Sequence, residues 1–152
     1  MKAAPALKMA IRPARETDAA PIAALLRDAS LPHDDFAPHL ANFLVARAGD
    51  EVVGAVGLEV QGAAALLRSL VVAPELRGQG LGDSLTETVV ARARTLGVRR
   101  IYLLTTTADK FFARRGFTVI ARSNVPAGIA ATEEFRSLCP ATAACMVRIF
   151  SP

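Results

Sequence analysis

Residues 66–82 read LLRSLVVAPELRGQGLG, and the order of features inside this stretch decides the fold. Leu66 to Val72 is apolar except for Arg68 and Ser69 and predicts a strand, which Ala73-Pro74 ends. Gly78, Gly80 and Gly82 follow at alternate positions, and then the apolar period changes from two to 3.6. Leu81, Leu85, Val89, Ala93 and Leu96 form one stripe of a helix that Gly97 closes. A strand feeding a glycine-rich turn that opens a helix presents backbone N–H groups with no Cβ in front of them, at the positive end of the helix dipole. Such a turn suits an anion, and Arg77 adds a positive charge at its rim. A cofactor carrying two phosphates is the natural ligand. A nucleotide loop of the Gly-Lys-Ser/Thr kind is excluded because Asp83 follows Gly82, and the G-x-G-x-x-G dinucleotide fingerprint is absent.

Towards the N-terminus, residues 9–12 read as a strand. Thr17 or Asp18 is placed to cap a helix with Ile22, Leu25, Leu26 and Ala29 at helical spacing, which Leu31-Pro32 stops. Residues 43–46 and 51–60 flank the Gly49-Asp50 turn as a hairpin, and Gln61-Gly62 turns the chain into the strand of residues 66–72. Beyond the long helix, residues 99–105 form a strand around Ile101, Leu103 and Leu104. Residues 108–115 form a short helix capped by Gly116, residues 117–121 a strand, residues 126–138 a partly helical segment and residues 144–150 a last strand. Strands first, then strand-helix-strand, predict an α/β chain with a mixed sheet and helices on its faces.

Length and composition agree. The chain has 152 residues, 52% hydrophobic and 21% charged, which suits one globular domain over residues 1–152. No apolar run nears the roughly 20 residues that span a bilayer, so no membrane partner is expected. Fifteen Arg and three Lys are dispersed, the net charge is +4, and one Tyr with no Trp leaves little aromatic surface for bases; no nucleic-acid partner is expected. Cys139 and Cys145 fit no metal spacing and no disulfide framework, so no metal is expected and a reducing, cytoplasmic setting is.

The run Val71-Val72-Ala73-Pro74-Glu75-Leu76-Arg77-Gly78-Gln79-Gly80-Leu81-Gly82 resembles the cofactor motif of the GNAT superfamily of acetyl-CoA-dependent N-acetyltransferases. Phe111-Phe112-Ala113-Arg114-Arg115-Gly116-Phe117 is similar to that family's helix-to-strand signature. Leu66 to Leu70, Leu103 to Thr107 and Phe135 to Pro140 further resemble the branch associated with arsenic-resistance operons, which acts on arsenic-containing or phosphinate-type amino acid analogues such as arsinothricin and phosphinothricin. The resemblance implies about seven mostly antiparallel strands, splayed in the centre, with about four helices. It implies acetyl-CoA as co-substrate, with Arg77, Gly78, Gln79, Gly80, Leu81 and Gly82 at the diphosphate and Leu70, Val71 and Val72 along the pantetheine arm. The Leu70 N–H would polarise the thioester carbonyl. The implied partner is a small-molecule amine, and pairing into a homodimer is common in the family. Two departures stand out. Phe112 occupies a position where relatives often carry Tyr, and Leu66 and Leu67 occupy positions where some carry a catalytic Glu.

Among the residues themselves, Glu59, near the end of its strand, is the carboxylate placed to order a water that takes the amine proton, with a solvated edge as the alternative. His33 follows the first helix and offers a neutral-pH base or a substrate contact, with a surface-loop histidine as the alternative. Arg68 is a charge in an apolar strand whose fork suits a carboxylate or phosphinate, or else reaches the sheet edge. Ser69 offers a hydroxyl to the substrate, and Thr105 offers one to the substrate or the pantetheine arm, or else ends its strand and caps the next helix. The expected function is N-acetylation of a small amine. The alternatives are acetylation of a protein N-terminus or a polyamine, or a CoA-binding sensor without catalysis.

Overall fold

The computed structural model describes residues 9–150. The chain forms β1 (Met9–Pro13), α1 (Ala19–Asp28), β2 (Phe43–Ala48), β3 (Glu51–Gln61), β4 (Ala64–Val72), α2 (Leu81–Thr95), β5 (Arg100–Thr105), α3 (Asp109–Ala113), β6 (Thr118–Ile120), α4 (Ala127–Ala130) and β7 (Ala144–Ile149). The seven strands make one mixed sheet in the order β1-β2-β3-β4-β5-β7-β6. The β4/β5 pair is parallel, while β1/β2, β2/β3, β5/β7 and β6/β7 are antiparallel. Among the described residues no helix is long and apolar enough to cross a membrane.

The fold comprises two compact units that the chain visits alternately, one running up to Gly57 and including Ser69–Val89, the other made of Leu58–Arg68 and the residues from Val90 onward. The crossings fall within β3, β4 and α2, not in linkers.

In the first unit Ile22 and Leu26 of α1 pack on Phe36, Phe43, Val45, Val52, Ala55 and Val71. Phe43 faces Gly57 across the β2/β3 ladder. A Cβ on Gly57 would lie 2.2 Å from the Phe43 ring, so the ring occupies the volume a side chain would need. Asp18 does not cap α1 with its side chain. Instead the carboxylate is buried, accepts the Arg15 N–H at 2.8 Å and pairs with Arg47 at 3.1 Å and Arg12 at 3.7 Å. Pairing offsets the cost of desolvating it and ties the chain before α1 to β1 and β2.

Three helices end in the same hydrogen-bonded pattern. At the end of α2, Gly97 (φ 85°) donates to Arg94 O and Val98 to Ala93 O, and Val98 is buried. At the end of α3, Gly116 (φ 89°) donates to Ala113 O and Phe117 to Phe112 O, with the Phe112 and Phe117 rings 5.5 Å apart. At the end of α1, Ser30 (φ 59°) donates to Arg27 O and Leu31 to Leu26 O. In each case one left-handed residue lets the next apolar residue fold back onto the last turn. This corrects two expectations. Leu96 lies past α2 and is 45% exposed because Val98 takes the last place of the apolar stripe, and α1 ends at Asp28 with the chain reversing at Ser30, ahead of Leu31-Pro32.

In the second unit Ala64, Leu66, Tyr102, Ile129 and Val147 form the core, and Tyr102 is a packing residue. The parallel β4/β5 register runs from Ala64↔Arg100 to Leu66↔Tyr102 and stops there, whereas β5 continues along β7 to Thr105↔Ala144. The expected strand over residues 117–121 is shorter, Thr118–Ile120, because Phe117 is drawn into the end of α3.

Candidate active site

β4 bends within its own length. Ser69 sits at φ 61°, left-handed for a residue with a Cβ, at a local cost of order 1 kcal/mol. Beyond it Val71 packs into the first unit's core while Leu70 and Val72 stay half-buried, so their side chains share the more open face. Ala73 N–H then donates to Val53 O at 2.8 Å, closing the strand end. Gly54 stands beside this end: a Cβ there would come within 3.2 Å of the Val71 carbonyl and 3.0 Å of Leu85, so glycine permits the close approach of α2 and β4.

The turn that follows has the expected geometry. Gly78 and Gly80 adopt φ 80° and 85°, and a Cβ on either would meet nothing within 4 Å. Glycine is needed there for backbone direction, and the space in front of the loop is open. The first α2 ladder bond is Ser84 N–H to Gly80 O at 3.1 Å, so the amides of Leu81 and Gly82 precede the helical hydrogen bonds. Arg77 is exposed and its Nε donates to Val72 O at 3.2 Å, which folds the guanidinium back over the strand end. A glycine turn facing open space, a helix N-terminus and one exposed guanidinium are a donor set that suits a diphosphate. Arg77, Gly78, Gln79, Gly80, Leu81 and Gly82 therefore fit the group expected of them.

Glu59 and Arg68 meet in the second unit. Arg68 Nη1 donates to Glu59 Oε2 at 2.6 Å, and Nε lies 3.4 Å from Glu134 Oε2. The Arg68 side chain is fully buried and both carboxylates are nearly so. Glu59 is therefore no solvated edge residue, and the Arg68 fork is engaged by protein carboxylates and does not reach the sheet edge. Glu134 lies in a turn of π-helix over Glu134–Leu138. Arg122 braces this turn, donating to Pro140 O at 2.9 Å and Phe135 O at 3.3 Å. The Cys139 thiol donates to Glu134 Oε1 at 3.8 Å. Burial, then the neighbouring Glu134 charge, pushes the Cys139 thiol up to about 12, so it stays protonated. Burial likewise raises Cys145.

The other expected contacts have local partners. Thr105 Oγ1 accepts the Ala108 N–H at 2.9 Å and shapes the turn into α3. His33 Nδ1 lies 3.2 Å from Leu31 O, and Nε2 lies 3.5 Å from the exposed Asp34 carboxylate. Phe112 is buried edge-on to Phe111 and Phe117, so α3 offers no hydroxyl at this position. Among the described residues no group of three or more His, Cys, Asp or Glu side chains is placed to hold a metal ion. Glu134 escapes sequence reasoning. Its neighbour Glu133 looks identical in the sequence, yet is exposed and pairs with Arg136 three residues on.

The chain is 40% identical over 57 residues to the amino-acid acetyltransferase of Ralstonia nicotianae, covering 38% of this chain and 13% of that protein. It is 39% identical over 70 residues to the amino-acid acetyltransferase of Pseudomonas aeruginosa, covering 46% and 16%. The chain thus spans no more than about a sixth of the length of these curated relatives. Among solved structures, N-acetylglutamate synthase from Neisseria gonorrhoeae, complexed with coenzyme A and N-acetyl-glutamate, superposes with a TM-score of 0.84 at 23% identity, over 95% of this chain and 36% of that one, which is a likeness of fold. Rv2747 from Mycobacterium tuberculosis, in complex with CoA, gives 0.80 at 26% identity over 93% of this chain and 99% of that one. Residues 39–119, more than half of the chain, match the acetyltransferase (GNAT) domain, and the chain belongs to that family.

Proposed function

We propose that this domain transfers the acetyl group of acetyl-CoA to the amine of an amino acid or a close analogue. The observation that carries the reading is the open turn at Gly78 and Gly80, both at positive φ, where backbone donors gather at the start of α2. The matches to amino-acid acetyltransferases support an amino acid acceptor. Amino acid analogues with an arsenic- or phosphorus-containing acid group fall in the same chemical class.

In this reading the amides of residues 78–82 and Arg77 hold the diphosphate. The backbone of Leu70 and Val72 accepts the pantetheine arm as an added strand, and the Leu70 N–H stabilises charge on the thioester oxygen. A neutral amine attacks the acetyl carbon, the C–S bond breaks, and the amine's extra proton leaves to water or to the departing thiolate. Phe112 supplies no proton. Glu59 acts through its pairing with Arg68, not as a free base, because its carboxylate already accepts a short bond from Arg68.

The test is thiol release from acetyl-CoA across a panel of glutamate, other amino acids, phosphinothricin, a polyamine and an N-terminal peptide. Turnover confined to amino acids and their analogues supports the reading. Turnover only with the peptide or polyamine overturns the acceptor class. Tight CoA binding without turnover on any amine favours a sensor, the reading that the absent hydroxyl at Phe112 leaves open.

A further inference from the structure

A carboxylate is costly to bury, and three charged side chains buried together need a reason. Glu134 lies outside the residues that match the family, 39–119, and is 5% exposed. It is held from several sides. Its Oε2 faces Arg68 Nε at 3.4 Å, its Oε1 accepts from Cys139, and its backbone carbonyl accepts the Cys139 N–H at 3.1 Å. The π-helical turn that carries it is in turn fastened by Arg122. π-helical turns are rare and are frequent at functional sites. Here the turn carries the carboxylate that meets Arg68, whose guanidinium also donates to Glu59 at 2.6 Å.

The clamped residue is the last one before the bend in β4. Arg68 is immobilised from both sides, Ser69 then turns left-handed at φ 61°, and Leu70 follows. A left-handed serine persists only where its surroundings over-determine it. We propose that Glu134 is a positioning residue for acetyl transfer: with Glu59 it clamps Arg68 and thereby fixes the β4 bend that aims the Leu70 N–H. The proposal rests on the role given above to the Leu70 amide. It does not require Glu134 to touch either substrate.

The test compares Glu134→Gln, Glu134→Asp and the control Glu133→Gln, whose side chain is exposed. In Glu134→Gln, kcat for acetyl transfer falls about 10-fold, less than the 10²–10³ lost when an oxyanion donor is removed. KM for acetyl-CoA holds, because the turn at residues 77–82 is untouched. Glu134→Asp, which keeps the charge one methylene short, lies between wild type and Gln, and Glu133→Gln matches wild type. A second readout needs no activity: in the ligand-free chain the backbone amide resonances of Ser69 and Leu70 move in Glu134→Gln while those of Gly78 and Gly80 do not. Unmoved Ser69 and Leu70 resonances, or equal losses in kcat and in thermal stability for Gln and Asp alike, overturn the positioning role. Ser69 and Leu70 resonances that move in Glu134→Gln, with a wild type that turns over no amine, leave the clamp standing and refute the proposed function.

Discussion

Replacing Gly80 separates charge from shape at the turn. Gly80 lies at φ 85°, and a Cβ there would meet nothing within 4 Å. A substitution therefore costs backbone strain and no collision. Asn and Asp are the side-chain residues that visit the left-handed region most readily, at a cost of order 1 kcal/mol, and they differ in one charge at nearly equal size. Gly80→Asn and Gly80→Asp should lose similar stability, with melting temperatures within a few degrees of each other. Their affinities for CoA should diverge. A carboxylate about 4 Å from a phosphate charge costs ~1 kcal/mol in water-like surroundings. Two phosphates bring this to about 2 kcal/mol, which is roughly 30-fold in Kd. Calorimetric titration with CoA at low salt reads the ratio directly, and at about 1 M salt, where the screening length is about 3 Å, the gap should shrink. Equal Kd values for the Asn and Asp variants would refute the placement of the diphosphate at this turn.

Further outcomes follow from packing and protonation. Gly57→Ala puts a methyl 2.2 Å from the ring of Phe43, which is fully buried and cannot swing away. The overpacking should cost about 1–3 kcal/mol and lower the melting temperature by about 2–4 °C per kcal/mol, with Phe43→Leu restoring part of the loss; an unchanged melting temperature would contradict the packing. Cys139, raised from 9.0 to about 12, keeps its proton in the folded chain at pH values where the unfolded chain has lost it. Its contribution to stability is complete below pH 9 and is lost as pH rises towards 12, which denaturant titrations at pH 8, 9 and 10 would register as a decline. The same thiol should resist alkylation at pH 8 until the chain is unfolded, and Glu134→Gln, which removes one of the raising charges, should speed its labelling.

Local signals carried the parts that depend on neighbours in sequence. The strand–turn–helix of residues 66–82, the turns at Gly49, Gly97 and Gly116, and the stripe from Leu81 to Ala93 were legible because backbone conformation and periodicity are written in adjacent residues. Failures came where a position is settled through space. Ser30 and Ser69 both adopt left-handed backbone, yet serine announces neither, whereas glycine at the same step would have. Leu96 fits the helical period but loses its burial to Val98 once the chain reverses at Gly97. Asp18 reads as a cap and instead satisfies two arginines and a backbone amide. For the site, the left-handed backbone of Gly78 and Gly80 is legible from glycine itself. The pairing of Arg68 with Glu59 and with Glu134, 66 positions later in the chain, is not, because no spacing rule links a strand arginine to a π-helical glutamate. Thr105 takes the capping role that a strand-end threonine offers, accepting the Ala108 N–H, and His33 has the Leu31 carbonyl as its neighbour.

A crystal structure of this chain with acetyl-CoA bound would locate the cofactor. The diphosphate should lie within hydrogen-bonding distance of the amides of residues 78–82, and the thioester oxygen within reach of the Leu70 N–H. A bound cofactor whose phosphates lie elsewhere, with the turn from Arg77 to Gly82 facing solvent, would contradict this placement.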